Sequence, residues 1–253
     1  DPDGAWEMMS ADDQHAITEI YVNFGKAIAA YERLLVSGNS PFDRYVAGEY
    51  DALSASAKNG LRLFVGKANC VECHNTPAFT DNGFHNLGIP QTGEHIPADD
   101  NGRYDAVPKA MSATFNVNSE WSDDPNTGKY DDVAQTPELE GAFRTKHLRQ
   151  VAETGPWMHT GGFASLREVV EFYNRGGDFD APNKHPLIRP LNLTVQQRSA
   201  LVAYLRNGLT DARVEQELPP FDRVTLYGED DARAPESFGT ATTGSGGVAP
   251  RMI

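Results

Sequence analysis

A mostly α fold is what this sequence predicts, on three observations. An apolar stripe of helical period runs through the first 35 residues, two capping boxes open later apolar segments, and no stretch alternates apolar and polar residues as a strand would. Between Ser10 and Leu35, Ile17, Ile20, Phe24, Ala27, Ile28, Tyr31 and Leu35 recur at three- and four-residue steps. Ser10, with Asp13 three residues on, is the expected N-cap. A turn-rich stretch, Ser37-Gly38-Asn39-Ser40-Pro41, separates this helix from a second one over about Ser54–Gly66, with Leu61, Phe64 and Val65 on one side. Residues 81–137 are rich in Gly, Pro, Asn and Asp with weak periodicity, so they read as long ordered loops around a site. Ser165 with Glu168 opens a helix ending near Asn174, before Gly176-Gly177, and Thr194 with Gln197 opens another closing near Asn207-Gly208. The domain reading is 1–53 as N-terminal helix and connection, 54–226 as the main domain, and 227–253 as an extended, almost apolar-free tail.

With 253 residues the chain has enough length for a real core, and 39% hydrophobic content is too high for disorder throughout. Lys and Arg total 22 against 36 Asp and Glu, a net charge of −14, the wrong sign for a phosphate-binding surface, so nucleic acid is not an expected partner. No apolar run approaches the roughly 18 residues of a membrane span. The chain starts at Asp1 with no basic-then-apolar leader, which reads as a mature or trimmed product of a longer precursor.

The only two cysteines fall in Cys70-Val71-Glu72-Cys73-His74. This is the spacing for covalent attachment of haem c: two thiols bond to the porphyrin vinyl groups, and the adjacent His is placed under the iron. A three-residue step puts both sulfurs on one side of a helical turn, from which His74 extends its ring. Structural zinc needs four ligands, so His or carboxylate groups would have to replace an absent second cysteine pair. A thioredoxin-like dithiol needs a βαβ setting, whereas the preceding segment reads as helix. Covalent haem implies export, usually to the bacterial periplasm.

Further motifs then carry a resemblance. Gly25 to Arg33 and Ser40-Pro41-Phe42-Asp43-Arg44-Tyr45 lead into Gly60-Leu61 through Phe64 and the Cys70–His74 motif. Phe79-Thr80-Asp81, Phe84-His85-Asn86-Leu87-Gly88, Gly155-Pro156-Trp157-Met158-His159, Ser165-Leu166 and Phe172-Tyr173-Asn174 follow. From about Trp6 to Leu209 the chain resembles the C-terminal half of the bacterial di-haem cytochrome c peroxidase and MauG family. The resemblance implies a class I cytochrome c-like haem domain with long ordered loops, in a protein where one haem reacts with hydrogen peroxide and the other relays electrons. This chain has a motif for the relay haem only, so the peroxide-reactive haem belongs to another lobe, or the chain is a one-haem relative.

For the iron position opposite His74, the resemblance points to Tyr173, which takes the place of a Met in peroxidases and matches a Tyr in MauG-like members. A phenolate stabilises ferric iron and lowers the potential relative to Met. Met158 is the alternative ligand, and Met111 is a weaker one. On its residues alone, Tyr173 is equally a core aromatic on the apolar side of its helix. The resemblance also places His85 in the pocket wall, His159 at the pocket or propionate side, and Arg149 where it neutralises haem propionates. Gln150 and Thr160 depart from the family pattern of Leu-Arg-Asn and His-Asp-Gly. Thr154 and Pro156 match positions whose backbone carbonyls help bind calcium between two haem lobes; Ca²⁺ takes about six to eight oxygens, so other ligands would complete the shell.

The expected function is therefore a peroxidase-type oxidoreductase, reducing peroxide or using it to oxidise a protein substrate. The alternatives are a one-haem electron carrier without peroxidase activity and a module whose open iron face binds a small ligand. Expected partners are hydrogen peroxide, a small c-type cytochrome or other protein redox partner attracted by the acidic surface, and a second haem-containing lobe. Trp6, Trp121 and Trp157 are candidate relays, although packing is the commoner use of Trp.

Overall fold

The computed structural model describes residues 5–93, 96–97 and 99–222. The expected tail over 227–253 lies outside the described residues. Seven α-helices and a single two-residue strand pair account for the regular structure among the described residues, apart from short 3₁₀ and π turns, so the chain is helix-rich with little sheet. The described residues form two compact units. One contains the chain up to Val36 together with Tyr104–Thr136; the other contains Ser37–Arg103 and the chain from Pro137 onward. Segment 37–53, grouped from sequence with the N-terminal helix, is thus in the unit that carries Cys70–His74.

In the first unit, α1 spans Ala11–Glu32, and the Ser10 hydroxyl accepts the Asp13 N–H as its cap. The helix forms as its periodicity predicts, yet none of its residues is buried. Ile20, Tyr21 and Phe24 are each about two-thirds exposed, at 69%, 65% and 66%. Its partners within the unit are polar and aromatic contacts from the 104–136 segment: Lys26 pairs with Asp123 at 2.6 Å, and His15 lies 4.9 Å from Trp121.

The second unit holds the core. Two short elements precede the haem motif: α2 (Pro41–Val46), and α3 (Ala55–Val65) with Ser54 as its cap. The turn-rich reading of Ser37–Pro41 missed α2. Ser40 caps it through a capping box with Asp43, and Pro41 at the first helical position costs nothing because its missing N–H would have been unpaired there. Also missed, in the first unit from Tyr104 on, was α4 (Arg103–Ser112), inside the stretch read as loop. Pro108 within it removes an internal hydrogen bond, so it looks like a helix breaker in sequence. The strands β1 (Phe84–His85) and β2 (Phe143–Arg144) pair antiparallel, Phe84 opposite Arg144.

Both later capping boxes form. The helix α5 (Leu166–Arg175) starts at Ser165 with Glu168 and stops at Gly176, whose φ of 85° suits a residue without Cβ. The next helix, α6 (Val195–Ala203), starts at Thr194 with Gln197 and continues as a π turn over Tyr204–Gly208; α7 (Ala212–Glu215) closes the described chain.

The core forms where α3 and α6 cross, with Phe64, Leu201, Tyr204 and Leu209 all at most 3% exposed. Gly60 permits the crossing. A Cβ at this position would lie 2.1 Å from the Ala200 carbonyl oxygen and 2.6 Å from Tyr204 Cβ. These obstacles are backbone and a side-chain root, so relief requires the helices to move apart. Gly60→Ala is expected to destabilise the protein by about 3 kcal/mol or more, despite Ala being the better helix former, as read by urea unfolding.

Candidate haem-attachment site

The Cys70–His74 segment forms a 3₁₀ turn over Cys70–Glu72, following Asn69 in the left-handed region at φ 55°. The N–H groups of Cys73 and His74 both donate to the Cys70 carbonyl, at 3.4 and 3.0 Å. This winding presents both sulfurs from one turn, as the three-residue spacing requires. Cys70 packs against the helical core beside Val71 and Leu63, and both cysteines are free thiols. Burial pushes the Cys70 thiol up to about 12, so it stays protonated. Cys73 is raised as well, by burial and then by the nearby Asp81 and Glu72 carboxylates.

The His74 ring is fixed from behind. Its Nδ1 lies 2.7 Å from the Phe79 carbonyl oxygen. A carbonyl can only accept, so Nδ1 carries the proton and Nε2 keeps its lone pair free. Burial lowers the His74 pKa, outweighing the Phe79 hydrogen bond and Asp81, which raise it; the neutral ring that a metal needs is therefore favoured. The Phe79 carbonyl faces His74 because Phe79 itself adopts φ 57°, with its N–H donating to Thr76 at 2.7 Å.

Tyr173 lies on α5, half-buried and within electrostatic reach of both cysteines; burial first, then these two groups, raise its pKa. The structure thus brings Cys70, Cys73 and Tyr173 together. Met158 follows Trp157 in a loop with φ 65°, half-buried, and the Trp157 indole donates to the Val151 carbonyl at 2.8 Å. Met111 is 49% exposed in the other unit, and Trp6 is exposed at 45%.

His159 stacks on Phe143, centroids 3.5 Å apart and planes within 8°, and Gln91 Nε2 lies 2.6 Å from its Nε2. Both side chains line a cavity of about 70 Å³ with His85, Asp100 and Phe179. The Gln91 carbonyl oxygen is buried without a partner, as at a site completed by a group outside the chain. Burial lowers the His159 pKa against an opposing pull from Asp100.

Sequence reasoning missed how Asp81 and His85 act together. His85 Nε2 meets Asp81 Oδ2 at 2.9 Å, and the His185 ring lies 4.7 Å from that of His85. Burial raises the Asp81 pKa, but hydrogen bonds from His85 and the Gly83 N–H hold it below the usual range. Cys73, Asp81 and His85 are the one group among the described residues with metal-ligand atoms within 4.8 Å of one another. A structural zinc site needs a fourth ligand, and Cys70 is not part of the group. The paired thiols, the tethered His74 and the half-buried Tyr173 fit haem better.

The resemblance implies Arg149 at the propionates; in the structure four of its five N–H groups are engaged by the protein. Each guanidinium nitrogen already has a protein acceptor: Nε donates to the Pro77 carbonyl at 2.8 Å, Nη1 to Ser37 O at 2.6 Å and Asp43 Oδ2 at 2.8 Å, and Nη2 to Asp43 Oδ1 at 2.9 Å. Asp43 forms a capping box with Ser40, and nothing local to it announces a partner 106 residues away.

Comparison with known proteins gives this geometry its context. Residues 7–51 match the family model described as di-haem cytochrome c peroxidase. The chain is 39% identical over 184 residues to cytochrome-c peroxidase IdrP1 of Pseudomonas sp. (strain SCT), covering 71% of this chain and 47% of that protein. It is 34% identical over 179 residues to the methylamine utilization protein MauG of Methylorubrum extorquens, covering 71% and 42%. The chain belongs to the di-haem cytochrome c peroxidase/MauG family. Among solved structures, the diheme peroxidase BthA of Burkholderia thailandensis superposes with a TM-score of 0.51 at 27% identity, covering 72% of this chain and 48% of that one. A MauG-like protein associated with microbial copper homeostasis gives 0.53 at 28% identity, covering 73% and 51%. This di-haem family member spans about half the length of the curated relatives it matches.

The Asp43–Arg149 pair also sets a pH dependence. Burial raises the Asp43 pKa, but hydrogen bonds from Arg149 and Ser40 and the guanidinium charge bring it below 3.8 overall. A carboxyl depressed in the folded state stabilises fully above its unfolded value, about 4, and that contribution disappears as pH falls through the folded pKa. Asp43→Asn is expected to flatten this part of the acid limb in urea-unfolding stability, and to cost about 2–3 kcal/mol at pH 7.

Proposed function

We propose that this chain carries a covalent haem c that relays electrons in a di-haem peroxidase, serving hydrogen peroxide reduction or peroxide-driven oxidation of a protein substrate. The observation carrying this reading is the turn that presents Cys70 and Cys73 together while the Phe79 carbonyl aims His74, with Tyr173 within electrostatic reach of the same two cysteines. When bound, haem supplies one-electron exchange between ferric and ferrous iron. Cys70 and Cys73 would form its thioether bonds, and His74 Nε2 would take one axial position. Tyr173 would take the other as phenolate, with Met158 as the alternative. The buried crossing of α3 and α6 at Gly60 supports a class I cytochrome c-like haem domain. His159 and Gln91, at the small polar cavity, suit the propionate side.

A second haem, reacting with peroxide, would belong to another lobe. The exposed stripe of α1 supports such a lobe, because Ile17, Ile20, Phe24 and Ile28 are at least 43% exposed along one helix, and apolar surface of this kind marks an interaction site. Calcium would use the carbonyls of Thr154 and Pro156, which accept no backbone N–H among the described residues. A basic small c-type cytochrome suits the net charge of −14 as electron partner. Covalent haem attachment would suit an exported, periplasmic protein. Among the described residues no helix is long and apolar enough to cross a membrane.

The reading is tested by producing the chain alongside the c-type haem attachment machinery. One haem per chain, retained in denaturant, is expected, and retention is expected to fail in Cys70→Ala/Cys73→Ala. Tyr173→Phe is expected to remove the tyrosinate-to-iron optical band; an unchanged spectrum would move the distal assignment to Met158. With both axial positions filled, the isolated chain is expected to react slowly with peroxide. A fast reaction would instead support an open iron face.

A further inference from the structure

Phe79 holds the carbonyl that orients His74, and it does so at φ 57°, a left-handed conformation unfavourable for a bulky residue. Something must keep it there. The N–H bond to Thr76 secures one end of the turn. The ring is wedged against Phe42 at 5.2 Å and Phe64 at 6.2 Å, both edge-on. On its remaining side the Arg149 guanidinium stands 5.5 Å from the ring centroid, while Arg149 Nε grips the Pro77 carbonyl two residues earlier. Arg149 therefore holds the turn at two points, through backbone and ring.

Arg149 is itself held. Asp43 receives it through two parallel hydrogen bonds, and Ser37 O takes a third. Asp43 Oδ2 simultaneously accepts the Ser40 N–H and hydroxyl at 2.9 and 2.8 Å, which fixes the start of α2, and α2 supplies Phe42. The arrangement is a continuous set of contacts from Ser37–Asp43 through Arg149 to Pro77 and Phe79, ending at His74 Nδ1.

We infer that Arg149 is a positioning residue for the axial ligand: anchored on Asp43 and Ser37, it holds the Pro77–Phe79 turn so that the Phe79 carbonyl keeps its hydrogen bond to His74. The inference rests on the haem reading above. A hydrogen bond at the distal nitrogen of a metal-bound imidazole raises the basicity of the ligand. A more basic ligand favours ferric iron. Loosening the turn thus weakens the bond and shifts the haem potential upward. Lys cannot replace Arg here, since one ammonium cannot bind Asp43 in parallel, stack on Phe79 and reach Pro77 together.

The test uses the full chain with haem attached, comparing wild type, Arg149→Lys, Asp43→Asn and the double variant. Arg149→Lys is expected to raise the midpoint potential and alter the low-spin EPR g values. Asp43→Asn is expected to shift the potential in the same direction but less, and to have little further effect in the Arg149→Lys background. Arg175→Lys, at the exposed pair with Asp178, controls for general destabilisation and is expected to leave the potential unchanged. Haem-loaded Arg149→Lys and Asp43→Asn proteins with wild-type potential and g values would overturn the inference, even if their Tm falls. If Arg149→Lys does not accumulate, Asp43→Asn decides by the same readouts. If the wild-type chain takes up no haem, the functional reading fails, and ¹⁵N NMR of the His74 ring then decides this inference: the Nδ1–H bond is expected to weaken in Asp43→Asn, and an unchanged signal would overturn it.

Discussion

The 2.7 Å hydrogen bond from His74 Nδ1 to the Phe79 carbonyl is the constraint on which the rest of the site depends. It selects the tautomer, frees Nε2 and sets the ring plane relative to the two sulfurs. A surface histidine has none of these settled. The bond requires a left-handed Phe79, and the surrounding aromatic cluster makes that conformation tolerable: Phe79, Phe42, Phe64 and Tyr204 meet edge-on with centroids 5.2–6.2 Å apart. The same rings form part of the core where α3 crosses α6. Attachment turn and core are therefore one packed object, and a disturbance in the core reaches the ligand.

Electrostatics reinforce this arrangement. A buried neutral His74 and protonated thiols need no counter-charge, so the centre of the site holds no net charge. The charged groups stand around it in pairs. Asp43 is matched by Arg149, and Asp211, fully buried, by Arg213 and the Asn39 N–H. Asp81 is matched by His85. The unmatched polar atoms are few: Tyr204 carries a buried hydroxyl without a partner, in a position where the packing of its ring evidently outweighs that loss. In the first unit the balance differs. Its long helix has the apolar stripe of a packed element and no buried residue, which is why its sequence pattern alone says more about what it is made to meet than about what it touches.

Local features were legible where a local rule governs them. The caps at Ser10, Ser165 and Thr194 all form, because a capping side chain reaches only two or three residues along its own chain. The stop at Gly176 follows from the same locality. The helices missed, α2 and α4, each carry a proline, one at a start where it is harmless and one inside where it is tolerated. Neighbouring residues alone did not separate those cases.

The sequence by itself pointed to the chemistry: two thiols three apart with a following His match the spacing for covalent haem attachment, which one helical turn can satisfy. It determined the helical character as well. The tertiary structure alone decided which groups support that chemistry. Asp43 meets Arg149 across 106 residues, Asp211 meets the Asn39 N–H across 172, and Gln91 meets His159 across 68. Such partners share no period or spacing, because chain folding rather than local geometry brings them together. That is why the contacts of Arg149 to Pro77 and Asp43, which its own surroundings in the chain do not announce, appear only in the fold.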